Sequence, residues 1–309
     1  MDIFVTLIHG LNLAAIYALM AIGISLLWSS IGMINMAHGA SFAVSGYAAW
    51  VASAAMKPVL LAAFGKSVLG TAAMAGVTLL TGTAAGAAMG ALIYGLAFLP
   101  IHDKPNFPVR SLIVTLAINL ATVQALLWYF GPQQKNLPKI FGTGKVDFGP
   151  ISARYDQIGA ILSTAAILGL VLFWLKVSRK GLEIRAMMQN PEGAVLSGIS
   201  VRWTALPVTM LTGALAGLAA VLLSQTIFVS PTSGTMPLIK GLTIALLGGL
   251  GSVPGAVAGA VIIGFLEAIV GAVPFLGQRY VLFATFVFII TVLIIRPRGI
   301  GGLLDEARK

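Results

Sequence analysis

The sequence predicts an all-α integral membrane protein, a polytopic bundle of about eight or nine transmembrane helices. Of its 309 residues, 58% are hydrophobic and 9% are charged, whereas a soluble domain has about 25% charged residues. The hydrophobic residues form long runs without the alternation typical of a β-strand. Because lipid offers no hydrogen bonds to an exposed backbone, such runs must be helices that satisfy their own amide groups.

Nine apolar segments approach the length of about 20 helical residues that crosses the hydrocarbon core. They lie at about 3–31, 36–56, 68–99, 111–131, 157–175, 203–228, 236–250, 254–273 and 280–295. The 68–99 run is so long that it must tilt, kink or protrude. The sequence also predicts a broken helix near 31–39 and a short helix at 236–250, which would be tolerated beside protein or a water-filled cavity.

Glycines recur every four residues in the third segment, at Gly82, Gly86 and Gly90. Small residues at this spacing allow two helix backbones to approach closely. The pattern therefore predicts close helix packing, without indicating a particular function. No clear internal repeat of the segments is visible in the sequence.

The chain is expected to form one membrane domain, 1–309, with a cytoplasmic loop at 176–202. Lysine and arginine are concentrated in this loop and in the tail that begins at Arg296. The positive-inside rule places both in the cytoplasm. Nine crossings would then put the N-terminus on the extracytoplasmic side. The first segment is expected to be retained, because no positively charged region of a signal peptide precedes it.

Polar residues in and after the first segment indicate a path for a solute. Tyr17 lies within the segment, and Asn35, His38 and Gly39 lie at the predicted break. Polar groups inside a membrane are costly and usually face a bundle interior or a cavity. An unpaired backbone and a helix N-terminus at such a break can bind a polar or zwitterionic solute. Alternatively, Asn35 caps the second helix and His38 hydrogen-bonds a neighbouring carbonyl, which is compatible with both lining the path.

Glu267 is a carboxylate within an apolar segment. A charge at the bilayer centre costs at least about 2.5 kcal/mol on insertion scales. The residue is therefore expected to be protonated, paired, or close to water, and we predict a structural or path-lining role. A proton relay is the alternative, although one carboxylate and a distant histidine provide few groups for it.

The loop contains the signals of a short helix at 191–197. Asn190 followed by Pro191 is an N-cap followed by the residue favoured at the first helical position. Glu192 places a negative charge in the first turn, and Gly198 can end the helix. The helix is expected to present Ala194 and its neighbours to a partner protein or to the membrane surface, since nothing else is predicted to cover it.

Several classes of function are disfavoured. No G-x-x-x-x-G-K-[ST] motif is present, so any ATP hydrolysis must take place on another chain. The formal net charge of +10 comes from residues that flank the apolar runs, which favours lipid headgroups over nucleic acid as the partner. Cysteine is absent, which excludes thiolate metal sites. No nucleophile, base and orienting group converge in the sequence as an intramembrane enzyme would require.

Taken together, these residues resemble the membrane subunit of the branched-chain amino acid ABC transporters, the LivH type of permease. The resemblance covers essentially the whole chain and rests on five motifs in the order of the family. They are Gly10 to Gly23 with Tyr17-Ala18-Leu19, Ile34-Asn35-Met36-Ala37-His38-Gly39, Arg185-Ala186 through Gln189-Asn190-Pro191-Glu192 to Gly198-Ile199, Leu247-Gly248-Gly249-Leu250-Gly251-Ser252-Val253-Pro254-Gly255-Ala256, and Arg296-Pro297-Arg298-Gly299.

The resemblance implies a multi-pass permease of the inner membrane that imports branched-chain amino acids. Its implied partners are a second, homologous permease, two cytoplasmic ATPase subunits that carry ATP and Mg²⁺, and an extracytoplasmic solute-binding protein. No cofactor is expected in this chain. In such importers a Glu-Ala-Ala loop docks on the ATPase as a coupling helix. Here it reads Glu192-Gly193-Ala194, so Gly193 replaces the first alanine.

Two other functions stay open at this point. Urea and short-amide permeases resemble the same family. An ion-coupled secondary carrier would need no ATPase, but it would more often show inverted halves and several intramembrane charges. The predicted cytoplasmic helix, capped and without a packing partner, favours the ABC importer.

Overall fold

The computed structural model describes residues 3–65, 67–142, 144–148, 151–273, 277–297 and 299–301. Among these residues, eight helices are long and apolar enough to cross a membrane, which confirms the predicted all-α polytopic bundle. The α-helices are α1 (Ile3–Ile31), α2 (His38–Phe64), α3 (Val68–Ile93), α4 (Phe107–Phe130), α5 (Tyr155–Val177), α6 (Arg179–Gln189), α7 (Pro191–Leu196), α8 (Val201–Leu223), α9 (Thr235–Gly248), α10 (Val253–Ala272) and α11 (Val281–Ile295).

The segments of unusual length have the forms that the sequence predicts. Residues 32–37 separate α1 from α2, within the break predicted near 31–39. The short segment is α9, which has 14 residues. The long third segment is α3 continued by a π-helical turn at Tyr94–Phe98, so it stays helical over nearly its full length.

A β-hairpin that the sequence did not predict lies in the polar stretch 132–156. Its strands, β1 (Lys145–Phe148) and β2 (Ile151–Arg154), are antiparallel. Asp156, in the first turn of α5, forms an ion pair with Lys139 at 3.1 Å. This ion pair ties the polar stretch to the beginning of α5.

The helices α1–α3 and α8–α10 form two sets with the same order and opposite directions. α1 lies along α10, and α8 lies along α3. The second helix of each set packs beside the first helix of the other, so α2 contacts α8 and α9 contacts α1. Residue numbers rise together along these contacts. In α2 and α8 the neighbouring pairs are Ser45–Gly217 and Gly46–Ser224, and at α1 and α9 they are Tyr17–Lys240 and Ser25–Gly251. The helices within each of these two contacts therefore run in the same direction.

The sequence shows no clear internal repeat, and the likeness of the two sets is confined to the backbone. Each set consists of a long helix, a break and a helix that starts anew. The equivalence lies in the position of the breaks and in the helix contacts, rather than in residue identity. Inverted sets of this kind are typical of membrane proteins that open alternately to the two sides.

Both of the restarted helices begin in the middle of the bundle. The His38 imidazole packs against Gly23 in α1, and Gly23 also faces the carbonyl of Thr212, midway along α8. The backbones of Gly39 and Gly234 touch so closely that a methyl group on either residue would crowd the carbonyl of the other. The N-termini of α2 and α9 therefore meet inside the bundle.

The glycine repeat of α3 lies on its contact with α8, as the spacing predicted. A methyl group at Gly86 would overlap the backbone of Gly213, and one at Gly90 would overlap the backbone of Thr209. The two helices can approach this closely because neither glycine has a side chain.

Replacing Gly86 by alanine should lower the thermal unfolding temperature of the protein in detergent, because the methyl group forces α3 away from α8. Overpacking of this kind costs about 1–3 kcal/mol. Gly76→Ala is the matched control in the same helix, where an added Cβ meets nothing within 4 Å and alanine gains about 1 kcal/mol of helix propensity. Equal unfolding temperatures for the two variants would contradict this packing.

Candidate functional site

A cavity of about 730 Å³ lies between the first half of α1, the segment that leads into α9, and the facing ends of α10 and α11. This volume is within the range of about 300–1,000 Å³ that is usual for small-molecule sites. Apolar side chains line part of its wall, among them Leu13, Phe228 and Leu282. Polar groups line the rest, and the charged ones are Lys240 and Glu267.

Lys240 and Glu267 form an ion pair at the wall of this cavity. The Lys240 ammonium lies 2.8 Å from Glu267 Oε2. It also donates to the Tyr17 hydroxyl at 2.7 Å, and that hydroxyl donates to Glu267 Oε2 at 2.7 Å. On the far side, the Thr285 hydroxyl lies 3.3 Å from Glu267 Oε1. Four helices, α1, α9, α10 and α11, are therefore joined at one point by hydrogen bonds.

The pair explains how charged groups are tolerated inside the bundle. The Glu267 side chain is 3% exposed and that of Lys240 is 15% exposed. Leaving either charge alone in such a place would cost several kcal/mol, so each needs an opposite charge and further hydrogen bonds. The two ions supply the opposite charges to each other, and the Tyr17 hydroxyl forms a hydrogen bond with each of them. The centre of the Tyr17 ring also lies 4.9 Å from the ammonium.

Lys240 is a residue of this site that the sequence analysis missed. Its signal was available: a lysine in the short apolar segment at 236–250 needs a partner as much as Glu267 does. Of the three states expected for Glu267, protonated, paired or close to water, the structure shows the paired one.

The predicted path residues fall into two groups. Tyr17 and Glu267 line the cavity, whereas Asn35, His38 and Gly39 do not. The Asn35 side chain accepts a hydrogen bond from the Ala37 amide at 2.9 Å, which is close to the capping alternative. His38 is fully buried. The contact of these three residues with a translocation path stays a prediction.

The residues predicted to couple the chain to an ATPase, from Asn190 to Gly198, form a short helix, as expected. The Asn190 side chain accepts from the Gly193 amide at 2.9 Å, and Pro191 opens α7. Gly198 follows the helix with φ +84°, a conformation that favours glycine. An added Cβ at Gly193 would approach the Asn190 side chain to 3.2 Å, so alanine there would crowd the cap.

Two expectations about this helix need correction. It has a packing partner within the chain, because α7 contacts α6, an amphipathic helix that the sequence did not predict. Ala194 is consequently buried at 5% exposure and is not presented to a partner. Besides Pro191, the exposed residues of the helix are Glu192, Val195 and Leu196, and Leu196 is 89% exposed. They border a shallow apolar groove with Pro191 and Val201.

Within the described ranges, no three histidine, aspartate or glutamate side chains are grouped so that they could hold a metal ion. The cavity offers an ion pair, hydroxyl groups and an apolar wall. These groups can bind and orient a small molecule.

The fold and the cavity define a polytopic membrane protein whose interior can hold a small solute. Residues 6–295 match the model of the family described as the branched-chain amino acid transport system permease component, and the chain belongs to this family. It is a transport subunit and not an ATPase.

Curated relatives cover nearly the whole chain. The high-affinity branched-chain amino acid transport system permease protein BraD of Pseudomonas aeruginosa is 32% identical over 96% of this chain and 94% of its own length. The corresponding protein LivH of Escherichia coli K12 is 29% identical over 95% and 94%. A probable LivH permease of Methanocaldococcus jannaschii is 30% identical over 71% of each chain. Among solved structures, PsaBC of Streptococcus pneumoniae in complex with Fab has a TM-score of 0.48 at 14% identity, covering 97% of this chain and 94% of that one.

Glu267→Lys should destabilise the protein far more than Glu267→Gln. Either variant removes the counter-ion of Lys240, and breaking a buried pair costs about 3–5 kcal/mol. Lysine in addition places a second buried ammonium beside the first, and the two repel each other. Glutamine keeps hydrogen bonds to Tyr17 and Thr285. The measurement is the thermal unfolding temperature of each purified variant in detergent.

The charge-swapped double variant Lys240→Glu/Glu267→Lys is the control, because it restores an opposite pair and should recover part of the loss. Unfolding temperatures in both single variants equal to that of the unchanged protein would show that the ion pair does not stabilise the bundle.

Proposed function

We propose that this chain is the permease subunit of an ABC importer for branched-chain amino acids. The observation that carries the proposal is the family match over residues 6–295. Relatives that cover nearly all of the chain are named as branched-chain amino acid permeases. The cavity supports the proposal, because its mixed apolar and polar wall suits a solute with an alkyl side chain and a charged backbone.

The translocation path in this proposal passes through the cavity. Tyr17 and Glu267 border it directly. Gly39 touches Gly234, and the neighbouring Ser233 lines the cavity. Asn35, His38 and Gly39 would therefore lie one layer behind the cavity wall, where a small displacement of α9 against α2 would expose them.

The proposed partners follow from the family match, because a permease component of a transport system works together with other subunits. Two ATPase subunits, with ATP and Mg²⁺, would bind the α6–α7 region, where Glu192, Val195 and Leu196 are exposed. A second, homologous permease and an extracytoplasmic solute-binding protein would complete the importer. The exposed apolar side chains at the mouth of the cavity, such as Phe228 and Met236, suit contact with a second permease.

The proposed location is the inner membrane, with the α6–α7 region in the cytoplasm. The support is the positive-inside rule, since Lys176, Arg179, Lys180 and Arg185 are close together in this region. The chain end would then lie on the cytoplasmic side and the start of α1 on the extracytoplasmic side.

An ion-coupled carrier is the second candidate, and the inverted helix sets are the observation that favours it. A buried ion pair is also common in such carriers. The family match and the exposed face of α7 support the ATP-driven importer instead.

Cells that express the complete transporter should take up labelled leucine and not labelled urea. Uptake should stop when ATP is depleted and should persist when the proton gradient alone is collapsed with an uncoupler and ATP is maintained. Urea uptake without leucine uptake would contradict the proposed substrate. Leucine uptake that follows the proton gradient and needs no ATPase subunit would favour the carrier.

Leu196→Ala and Glu192→Lys should weaken binding of the ATPase subunits, because these side chains are exposed on α7 and outside the packed bundle. We expect fewer ATPase subunits to copurify and substrate-stimulated hydrolysis to fall, while the permease still inserts. Leu80→Ala, at a 72% exposed position of α3, is the control. Normal retention of the ATPase and normal hydrolysis in both α7 variants would contradict this docking face.

A further inference from the structure

The Lys240 ammonium has a hydrogen bond to spare. An ammonium group has three N–H donors. Two are used by Tyr17 and Glu267. Among the described residues, the structure shows no acceptor for the third. The side chain is 15% exposed and lies in the wall of the cavity, so this donor is available to a molecule inside it.

The surroundings of this donor suit a carboxylate. Lys240 lies one and a half turns into α9, and the residues on both sides of its N-terminus, Ser233 and Met236, line the same cavity. The positive end of the helix dipole thus adds to the charge of the ammonium. Glu267 holds the ammonium in place. Its own side chain is 3% exposed, so little of it is accessible from the cavity.

Other parts of the wall suit the rest of an amino acid. The apolar side chains Leu13, Phe228 and Leu282 can contact a branched alkyl group. Ser230 and Thr232 line the cavity as well, and hydroxyl groups of this kind can accept hydrogen bonds from an α-ammonium group.

We infer that Lys240 is a substrate-binding residue that holds the α-carboxylate of a free amino acid as it passes through the permease, and that Tyr17 and Glu267 are its positioning residues. The inference rests on the proposed function and extends it to the permease's own selectivity. Urea and short amides have no carboxylate, so this site would discriminate against them independently of a solute-binding protein.

The test uses a single-cysteine reporter, which is feasible because the chain has no cysteine. Ser233→Cys places a thiol in the cavity wall. Its rate of alkylation by a small water-soluble reagent is measured in the assembled permease–ATPase complex in liposomes without a solute-binding protein. The solutes added are leucine, leucinamide and urea. Ser67→Cys, at an exposed position that does not line the cavity, is the control thiol.

Leucine should slow alkylation at Ser233→Cys and leave Ser67→Cys unaffected. Leucinamide and urea should need at least about tenfold higher concentrations for half-protection, because a charge-assisted hydrogen bond is lost. Equal protection by leucine and leucinamide, or none by leucine, would overturn the inference.

Two variants separate a contact with the substrate from a purely structural role. Lys240→Met/Glu267→Gln removes both charges and leaves none unpaired, and it should raise the leucine concentration for half-protection at least about tenfold. Glu267→Gln alone keeps the ammonium but removes its counter-ion, so it should weaken protection by leucine less than the double variant does. Protection that persists in the double variant would assign Lys240 a structural role. Leucine uptake by the complete transporter is measured in parallel, so that uptake without protection refutes this inference and leaves the proposed function standing.

Discussion

The backbone contact between Gly39 and Gly234 is the constraint on which the rest of the structure depends. It joins the N-termini of α2 and α9 in the middle of the bundle, where protein rather than lipid surrounds the start of each helix. Because α9 begins at this depth, Lys240 comes level with Tyr17 in α1 and reaches Glu267 in α10. The cavity lies beside the same helix start. The two breaks therefore determine where polar groups can exist inside an apolar bundle.

The ion pair and the cavity depend on each other. A lysine and a glutamate within the spans are acceptable because they neutralise each other and share the Tyr17 hydroxyl. The pair is accessible from the cavity, since the Lys240 side chain is 15% exposed and lines the cavity wall. A structural contact of this kind can become a binding site without further rearrangement. It also connects helices of the two inverted sets, so a solute that binds Lys240 acts on the contact between them.

The sequence predicted those features that depend on length, hydropathy and local helix signals. The breaks near 31–39, the short α9 and the cap at Asn190 are of this kind. The burial of Ala194 was not predicted, because α7 packs beside α6, a helix that the sequence analysis did not predict. The ion pair joins residues 27 positions apart, and the inverted sets are matched in backbone position. Neither leaves a pattern in a single sequence. A lysine within an apolar segment, Lys240, nevertheless indicated that an acidic partner lies nearby.

The central claim is that a solute passes through the cavity beside Lys240 and Glu267. The most direct measurement is an electron cryo-microscopy structure of the assembled transporter, prepared with leucine under conditions that prevent ATP hydrolysis. The account predicts density for leucine in this cavity, with its carboxylate within hydrogen-bonding distance of the Lys240 ammonium and its alkyl group near Phe228. Leucine density elsewhere in the permease, with lipid filling this cavity, would contradict it.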